Sequence, residues 1–512
     1  MAEPTPYDYG FNGDFETALP VRAAYAGASG ILAALPCAVA APRSTAAVAA
    51  LLEWSSATAT PIVPRGAATG MPGGNVGPGV VVDLVRHFRA PPVVDPTSSS
   101  ALVECGVTPA ELNRAAARHR LHFPVDPSSW ERCTFGGMIA NNAAGAHSVR
   151  YGATRRWVRE IDLVLADGTT AHLRRGAPPP ESLRPILARF HRTLDVRANV
   201  LRENWPRLRK NSSGYALLDY LTSGDPIDLI VGSEGTLAIV TSASLDLAPF
   251  PPATGLVLLE FDDLRATTDA VLTLLPLQPL TCEILDRTFL DVVRSADATS
   301  LPRLDPALEA VLLVEFDAPS PDQLPEALDQ IRTAVDPFAV RAYSALRPDA
   351  VADLWRLRHA ASPLISRHAG NRVSMQFIED SVVPVSNLPD YLRGLRQILH
   401  RFDLPAVVFG HAGDGNIHVN PLVDVQSANW RDTLDAVLLE VTELVVSLGG
   451  TLSGEHGDGR LRAPALSRVW HPDIVACFQA LKSAFDPVNL LNPGVILPSP
   501  GQRPFDMLRK FA

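Results

Sequence analysis

The chain has 512 residues, of which 46% are hydrophobic and 20% charged, and its formal net charge is −10. This length predicts two or three domains, and the composition is that of a globular protein. The negative charge and the lack of a dense lysine and arginine stripe exclude an ordinary nucleic-acid binder. Its five cysteines are scattered without a CxxC pair, which argues against a disulfide framework or an iron–sulfur cluster.

The N-terminus does not predict a signal peptide, because residues 1–16 are acidic and contain no basic stretch. The best apolar run, residues 31–41, is too short to cross a bilayer and contains a proline. We therefore expect a cytoplasmic location, either free or peripheral at the membrane.

Residues 36–250 alternate short apolar runs with helical segments, which predicts an α+β unit with a mixed sheet. The predicted elements are a helix over 44–57 with Ser44 as N-cap, strands at 61–64 and 79–84, a helix that begins at a capping box of Thr108, Pro109 and Glu111, and a hairpin over 160–175 that turns at Asp167 and Gly168.

The pattern changes at residue 250. Residues 250–405 repeat a strand, an acidic loop and a helix, which predicts a separate antiparallel sheet with helices on one face. Helical patterns return in the tail, and the last segment is rich in turns. The predicted domains are 1–249 for cofactor binding, 250–440 for substrate binding as a cap, and 441–512 as a C-terminal segment that completes the site.

Glycine-rich segments in the first half predict a site for a large group with a phosphate part. Residues 64–75 follow a strand and contain four glycines, whose neighbouring amides can converge on a phosphate. This segment is neither a Walker loop nor a Rossmann GxGxxG that opens a helix. Residues 123–158 and 231–245 add further glycine turns. Each segment alone is compatible with a surface loop, but the three together favour a cofactor with a pyrophosphate and a ring.

Residues 406–423 predict a β-hairpin that carries two histidines. With residues 413–416 as the connection, His411 lies opposite His418. Directly paired residues on one face have Cβ atoms about 4.5–5.5 Å apart, and Asn420 shares that face. This spacing suits a metal site, and the alternative is a pair of hydrogen-bonded histidines on a sheet.

A second turn, residues 453–459, adds Glu455 and His456 side by side. Two histidines and one carboxylate with an open position form a ligand set for catalytic zinc, and manganese or iron(II) also accept it. The alternative is a turn at the end of a helix whose polar residues face water.

Nine segments carry a resemblance in order from about residue 36 to 497: PRGAATG, GGMIANNAAG, RYGATRRWV, LADG, KNSSGY, VGSEGTLAIVT, GHAGDGNIHVN, SGEHGDGR and DPVNLLNPG. Through them the chain resembles the FAD-linked D-2-hydroxyacid dehydrogenases. That family includes D-lactate dehydrogenase, D-2-hydroxyglutarate dehydrogenase and the glycolate oxidase flavin subunit. Its flavin domain is of the vanillyl-alcohol oxidase and p-cresol methylhydroxylase type.

The resemblance implies an α+β fold with a two-subdomain FAD-binding unit of the p-cresol methylhydroxylase type, an antiparallel-sheet cap domain and a helical C-terminal segment. The implied FAD contacts are Arg65, Gly66, Ala67, Ala68, Thr69, Gly70, Asn75, Pro124, Ser128, Gly136, Gly137, Ile139, Asn142, Ala144, Ile239 and Asn492. Some relatives attach flavin through a histidine, but residues 65–75 contain none, so we expect FAD that is not covalently bound.

The resemblance also implies the catalytic roles. The implied metal ligands are His411, His418 and Glu455, the base is His456 with a near-neutral pKa, and the substrate contacts are Arg358, Ser362 and Asn420. The implied reaction oxidises a D-2-hydroxy acid to a 2-oxo acid, with hydride transfer to FAD. Electrons then pass to an acceptor other than oxygen, such as a quinone, an electron-transfer flavoprotein or an iron–sulfur partner.

The chain departs from several relatives in one segment. Where these have a lysine after the substrate arginine, it has Met375 and Gln376, so the particular acid and the acceptor stay open, as does a homodimer. Two other functions are compatible with the flavin segments: an enzyme like alkyl-glycerone-phosphate synthase, and a flavin subunit that only relays electrons. The ligand set with a free base favours dehydrogenation.

Overall fold

The computed structural model describes residues 4–295, 305–359 and 371–511. These residues form sheets of four, five and eight strands, together with a short strand pair. Their buried apolar side chains form four clusters, two of which lie on opposite faces of the eight-stranded sheet. Within the described ranges, no helix is long and apolar enough to span a membrane.

The four-stranded sheet supplies the first glycine-rich loop. Its strands and connecting helices are β1 (Gly13–Glu16), α1 (Leu19–Ala24), β2 (Ala38–Pro42), α2 (Thr45–Thr58), β3 (Ile62–Arg65) and β4 (Val80–Asp83), with the strand order β1-β2-β4-β3. Strands β2, β4 and β3 are parallel, and the loop leaves the carboxyl end of β3. The Ser44 hydroxyl accepts a hydrogen bond from the Ala47 amide, which confirms the predicted N-cap.

The five-stranded sheet is antiparallel, with the order β5-β6-β10-β8-β9. This part of the chain contains β5 (Val93–Asp95), β6 (Ser100–Glu104), α3 (Pro109–Ala116), β7 (Leu121–His122), α4 (Phe135–Asn141), α5 (Ser148–Tyr151), β8 (Val158–Leu165), β9 (Thr170–Arg174), α6 (Arg184–Leu194), α7 (Ala198–Asn204), α8 (Leu217–Ser223), α9 (Ile227–Ile230), β10 (Ala238–Asp246) and β11 (Ala248–Pro249). The predicted hairpin and the capping box at Thr108 are both confirmed.

The eight-stranded sheet is antiparallel, with the order β15-β12-β14-β13-β18-β19-β16, and β17 also pairs with β19. Its strands and helices are β12 (Ala253–Phe261), α10 (Leu264–Leu274), β13 (Thr281–Asp286), α11 (Arg287–Ser295), β14 (Ala310–Ala318), α12 (Leu324–Val335), β15 (Arg341–Ala345), α13 (Pro348–His359), β16 (Val373–Ser374), β17 (Ser381–Val382), α14 (Leu388–Arg401), β18 (Ala406–His411) and β19 (Asn416–Val423).

Helices cover both faces of this sheet, so the prediction of helices on one face is wrong. Val257 and Leu259 of β12 pack with α10 and α12, whereas Leu256 and Leu258 pack with α11 and α13. A continuous apolar run in a strand is typical of burial on both faces. The face that carries α13 also carries the candidate site.

The C-terminal part contacts both halves of the molecule. Its helices are α15 (Trp430–Ser447), α16 (Gly459–Arg462), α17 (Leu466–Val469) and α18 (Pro472–Phe485). Helix α15 packs against α14 beside the eight-stranded sheet, and α18 packs against α6 in the first half. The turn between α15 and α16 thereby reaches the site, while the domain boundaries stay a prediction.

Candidate active site

A cavity of about 1250 Å³ joins the glycine-rich segments to the α13 face of the eight-stranded sheet. Most of the predicted FAD contacts line it: Arg65, Gly66, Ala67, Ala68, Thr69, Gly70, Asn75, Ser128, Gly136, Gly137, Ala144 and Ile239. The described residues predicted for catalysis, metal and substrate line the same wall: Arg358, His411, His418, Asn420, Glu455 and His456. The remaining one, Ser362, lies outside the described residues.

Other predicted FAD contacts lie behind this wall, namely Pro124, Ile139, Asn142 and Asn492. The Asn492 amide donates to the backbone oxygens of Gly74 at 2.8 Å and Glu234 at 2.9 Å. Asn142 accepts a hydrogen bond from the Arg155 amide. Both side chains therefore support the loops from behind, a role that an asparagine in a glycine-rich segment does not reveal by itself.

The wall around the first glycine-rich loop fits FAD. A Cβ atom on Gly66 would lie 2.5 Å from Thr134 Oγ1, so a larger residue there would displace the Thr134 hydroxyl. Asn75 Oδ1 and Thr134 Oγ1 are buried and lack a hydrogen-bond partner in the described part of the chain. Buried polar atoms are normally paired, and the hydroxyl, amine and phosphate groups of FAD would supply partners.

FAD is expected to leave the chain when the yellow protein is precipitated with acid. The loop has no histidine, and burial raises the pKa of the cavity-lining Cys133 thiol to about 11, so this thiol is a poor nucleophile. Absorbance spectra of supernatant and washed pellet measure the release. Flavin that stays with the denatured pellet would contradict non-covalent binding.

The hairpin that carries both histidines differs from the predicted one. Its connection is residues 412–415, so that His411 pairs with Asn416 and Phe409 pairs with His418. The predicted pairing of His411 with His418 is wrong by two residues. Because side chains alternate between the two faces of a sheet, a shift of two residues leaves both histidines on one face.

Three ligand atoms converge at the end of this hairpin. His411 Nε2 lies 3.2 Å from both His418 Nε2 and Glu455 Oε1, and the last two atoms are 3.3 Å apart. Tetrahedral zinc with bonds of about 2.0–2.1 Å holds its ligands about 3.3–3.4 Å apart. The three buried side chains therefore match one face of a zinc coordination tetrahedron and fit a divalent metal.

Glu283 of β13 holds two of the predicted residues at once. It lies directly opposite His411 on β18, and its Oε1 is 2.5 Å from His411 Nδ1. Its Oε2 accepts a hydrogen bond from Arg358 Nε at 2.9 Å. Burial opposes ionisation of Glu283, but the charges of His411 and Arg358 lower its pKa to about 2. The ionised carboxylate orients the His411 ring so that Nε2 points toward His418 and Glu455. A carboxylate in this position is usual behind metal-binding histidines.

The predicted substrate contacts lie beside this carboxylate. Arg358 extends from α13 over the Phe409 ring, with its guanidinium carbon 4.3 Å from the ring centroid. Asn420 lies on β19, opposite Val407 and two residues beyond His418, and faces the cavity. Both positions are compatible with contact to an acid bound at the ligand set.

The imidazole and the backbone amide of His456 are bound by two acids that lie outside the predicted ligand set. Its Nδ1 lies 2.8 Å from Glu379 Oε2, and its backbone amide donates to Asp380. Arg462 binds the same Glu379 at 2.6 Å. Burial opposes protonation of His456, but the charges of Glu379 and Asp380 raise its pKa to about 10. The predicted near-neutral pKa is therefore wrong for the protein alone.

Lys210 is a functional candidate that the sequence analysis missed. Its Nζ lies 2.6 Å from Glu455 Oε2, and both side chains are buried. Burial opposes ionisation of Glu455, but Lys210 and His411 hold its pKa well below the usual range. Lys210 thus keeps Glu455 in the form that binds metals. Its only sequence signal is the segment KNSSGY, which by itself indicates no role.

Two family models match the chain: an FAD binding domain over residues 36–174 and the C-terminal domain of FAD linked oxidases over residues 250–496. The glycolate oxidase subunit GlcD of Bacillus subtilis is 31% identical over 465 residues, which cover 90% of this chain and 88% of the relative. The chain belongs to the FAD-linked oxidase family. It is a flavoprotein oxidoreductase of the D-2-hydroxyacid dehydrogenase and GlcD group, as the resemblance implied.

One relative of this FAD-linked oxidase is much longer. The D-2-hydroxyglutarate dehydrogenase of Escherichia coli is 29% identical over 525 residues, which cover 96% of this chain but 51% of the relative. The chain thus spans about half the length of that protein. The structure of 4-ethylphenol oxidase from Gulosibacter chungangensis aligns with a TM-score of 0.70 at 16% identity and covers 95% of each chain. This similarity confirms the predicted α+β fold of the p-cresol methylhydroxylase type.

Proposed function

We propose that this FAD-linked oxidase converts a D-2-hydroxy acid, such as D-lactate or D-2-hydroxyglutarate, to the 2-oxo acid. The proposal is carried by the convergence of His411, His418 and Glu455 in one cavity with Arg358 and His456. A 2-hydroxy acid offers a carboxylate for the arginine and a hydroxyl for the base. The names of the GlcD and D-2-hydroxyglutarate relatives also refer to 2-hydroxy acids.

Two groups complete the proposed site. When bound, FAD would accept the hydride from the substrate Cα, and a divalent metal would withdraw electron density from the hydroxyl oxygen. The glycine-rich walls would hold FAD, and His411, His418 and Glu455 would hold the metal. We propose zinc, because two imidazoles and one carboxylate with an open position are a common catalytic zinc set. Manganese and iron(II) accept the same ligands.

The side chains of the chain then bind and orient the acid. Arg358 binds the carboxylate through charge-assisted hydrogen bonds, while Glu283 holds its Nε. Asn420 contacts the substrate from the face of β19 that also carries His418. His456 takes the hydroxyl proton at Nε2, because its Nδ1 is engaged by Glu379. Base action needs neutral His456, and a cation held beside it opposes its protonation.

The proposed electron acceptor is not oxygen but a quinone, an electron-transfer flavoprotein or an iron–sulfur partner. This part of the proposal rests on the family resemblance. Dye reduction that greatly exceeds peroxide formation in air would support it, whereas peroxide formed at the rate of dye reduction would show an oxidase.

Anaerobic mixing with D-2-hydroxy acids is expected to bleach the visible absorbance of the bound flavin, whereas the L enantiomers leave it unchanged. The reason is that Arg358 would fix the carboxylate and the ligand set with His456 would fix the hydroxyl of the chiral carbon, so that only one enantiomer directs its Cα hydrogen toward the flavin. Enzyme that is stripped of metal by a chelator and still contains FAD should bleach only after metal is restored.

Each part of this experiment can fail separately. Full bleaching by the metal-free enzyme would remove the metal from the proposal, and equal bleaching by L acids would remove the stereochemical assignment. If no 2-hydroxy acid bleaches the flavin of metal-loaded enzyme, a subunit that only relays electrons or a non-oxidising flavoenzyme becomes the better explanation.

A further inference from the structure

Helix α13 lines the cavity with a row of apolar side chains that leads to Arg358. Pro348, Val351, Ala352 and Trp355 all face the cavity, and Arg358 ends the row. Counted from Pro348, the others follow at i+3, i+4, i+7 and i+10, which is the spacing of one helix face. At 1.5 Å per residue, the row extends about 15 Å from the arginine. We call these four apolar residues the α13 row.

Apolar residues from other parts of the predicted cap domain also line this cavity. Further lining residues are Pro251, Ala253, Pro321, Leu324 and Leu346. Trp355 and Val351 are only half-buried, because part of each side chain faces the cavity. The α13 row is therefore apolar surface that begins at the proposed carboxylate site.

The charges beside the α13 row disfavour a second carboxylate. The His147 ring stacks on Trp355 with centroids 6.4 Å apart, and its two nitrogens lie 2.7 Å from Asp126 and 3.2 Å from Glu315. With His147 protonated, this group of two acids and one histidine has a net negative charge. At the other end of the row, Glu283 Oε2 accepts a hydrogen bond from Arg358 Nε at 2.9 Å.

We infer that the substrate is a monocarboxylic 2-hydroxy acid with an extended apolar side chain, which lies along the α13 row while its carboxylate binds Arg358. The inference rests on the proposed function and adds the class of side chain to it. The inference distinguishes this chain from an enzyme for dicarboxylic acids. In this cavity, the second carboxylate of such an acid would contact Glu315 or apolar side chains.

The test is the ratio kcat/KM with an artificial dye for D-lactate, D-2-hydroxybutanoate, D-2-hydroxyhexanoate, D-2-hydroxyoctanoate and D-2-hydroxyglutarate. We expect a rise of roughly two- to fourfold per added methylene, because each buried methylene adds a similar increment of binding. D-2-hydroxyglutarate is expected to fall well below D-2-hydroxyhexanoate. A flat or falling series, or a preference for D-2-hydroxyglutarate, would overturn the inference but leave the proposed function intact. Oxidation of none of these acids would overturn both.

Variants on α13 connect the preference to the row. Ala352 is exposed toward the cavity, so Ala352→Asp adds a carboxylate to the row without disturbing the core. It should flatten the chain-length series, and Val351→Asp should do the same. The control is Arg356→Ala, which changes the net charge by the same one unit on the exposed side of the helix, where Arg356 pairs with Asp353. Variants in the row that keep FAD and the full chain-length preference would refute the inference.

Discussion

Replacement of His456 by alanine is expected to slow flavin reduction about 10²–10⁴-fold at saturating substrate, while metal and FAD stay bound. His456 Nε2 lies 3.7 Å from Glu455 Oε1, and its Nδ1 is engaged by Glu379. The side chain is therefore beside the ligand set, and its Nε2 can take a proton when a bound cation keeps the ring neutral. Rapid mixing of the enzyme with a D-2-hydroxy acid measures the rate, and elemental analysis measures the metal.

The matched change is at the neighbouring residue. Glu455→Ala removes a proposed ligand and should lower the metal content, and added metal should restore part of the rate. Because the change also leaves Lys210 buried without its carboxylate, Glu455→Gln is a second variant of similar volume. Comparison of the Glu455 variants with His456→Ala separates loss of the metal from loss of the base.

The opposite result would assign the metal to a different group of side chains. If His456→Ala loses the ion and Glu455→Ala retains it, the ligands are better assigned to Glu379, His418 and His456, whose ligand atoms also lie within 4.8 Å of one another. If neither variant slows flavin reduction, the turn at residues 453–459 has no catalytic role.

Replacement of Glu283 by glutamine is expected to weaken metal binding about 10–100-fold, the usual effect of losing a carboxylate behind a ligating histidine. Glu283 is fully buried and contacts His411 and Arg358 at the same time. The variant should also raise KM for the acid, because a neutral amide holds the Arg358 guanidinium more weakly than a carboxylate does. Glu283 is a positioning residue, since its proposed contacts are to side chains rather than to substrate.

A chelator competition that measures metal affinity without turnover tests this prediction. The control is Glu260→Gln, which changes another buried glutamate of the same sheet that lies on β12 and outside the cavity wall. Loss of stability alone would affect both variants, whereas the positioning role requires that only the Glu283 variant binds metal weakly. Unchanged metal affinity in Glu283→Gln would contradict it.

Local patterns in the sequence determined several parts of this protein. The N-cap at Ser44 and the capping box at Thr108 depend on residues within one helical turn, so the pattern alone reveals them. His411 and His418 share a face because Phe409, the residue that pairs with His418, lies two residues from His411 on the same strand. That parity survives the two-residue error in the predicted register.

Only the tertiary structure decided what surrounds these residues. Glu283 meets His411 through the pairing of strands far apart in sequence, and Lys210 reaches Glu455 across 245 residues. The pKa of His456 is raised to about 10 because two acids from a distant segment, Glu379 and Asp380, are buried beside it. Such contacts depend on which strands pair and which faces are covered. Those choices are made by packing over the whole chain, which no short sequence pattern encodes.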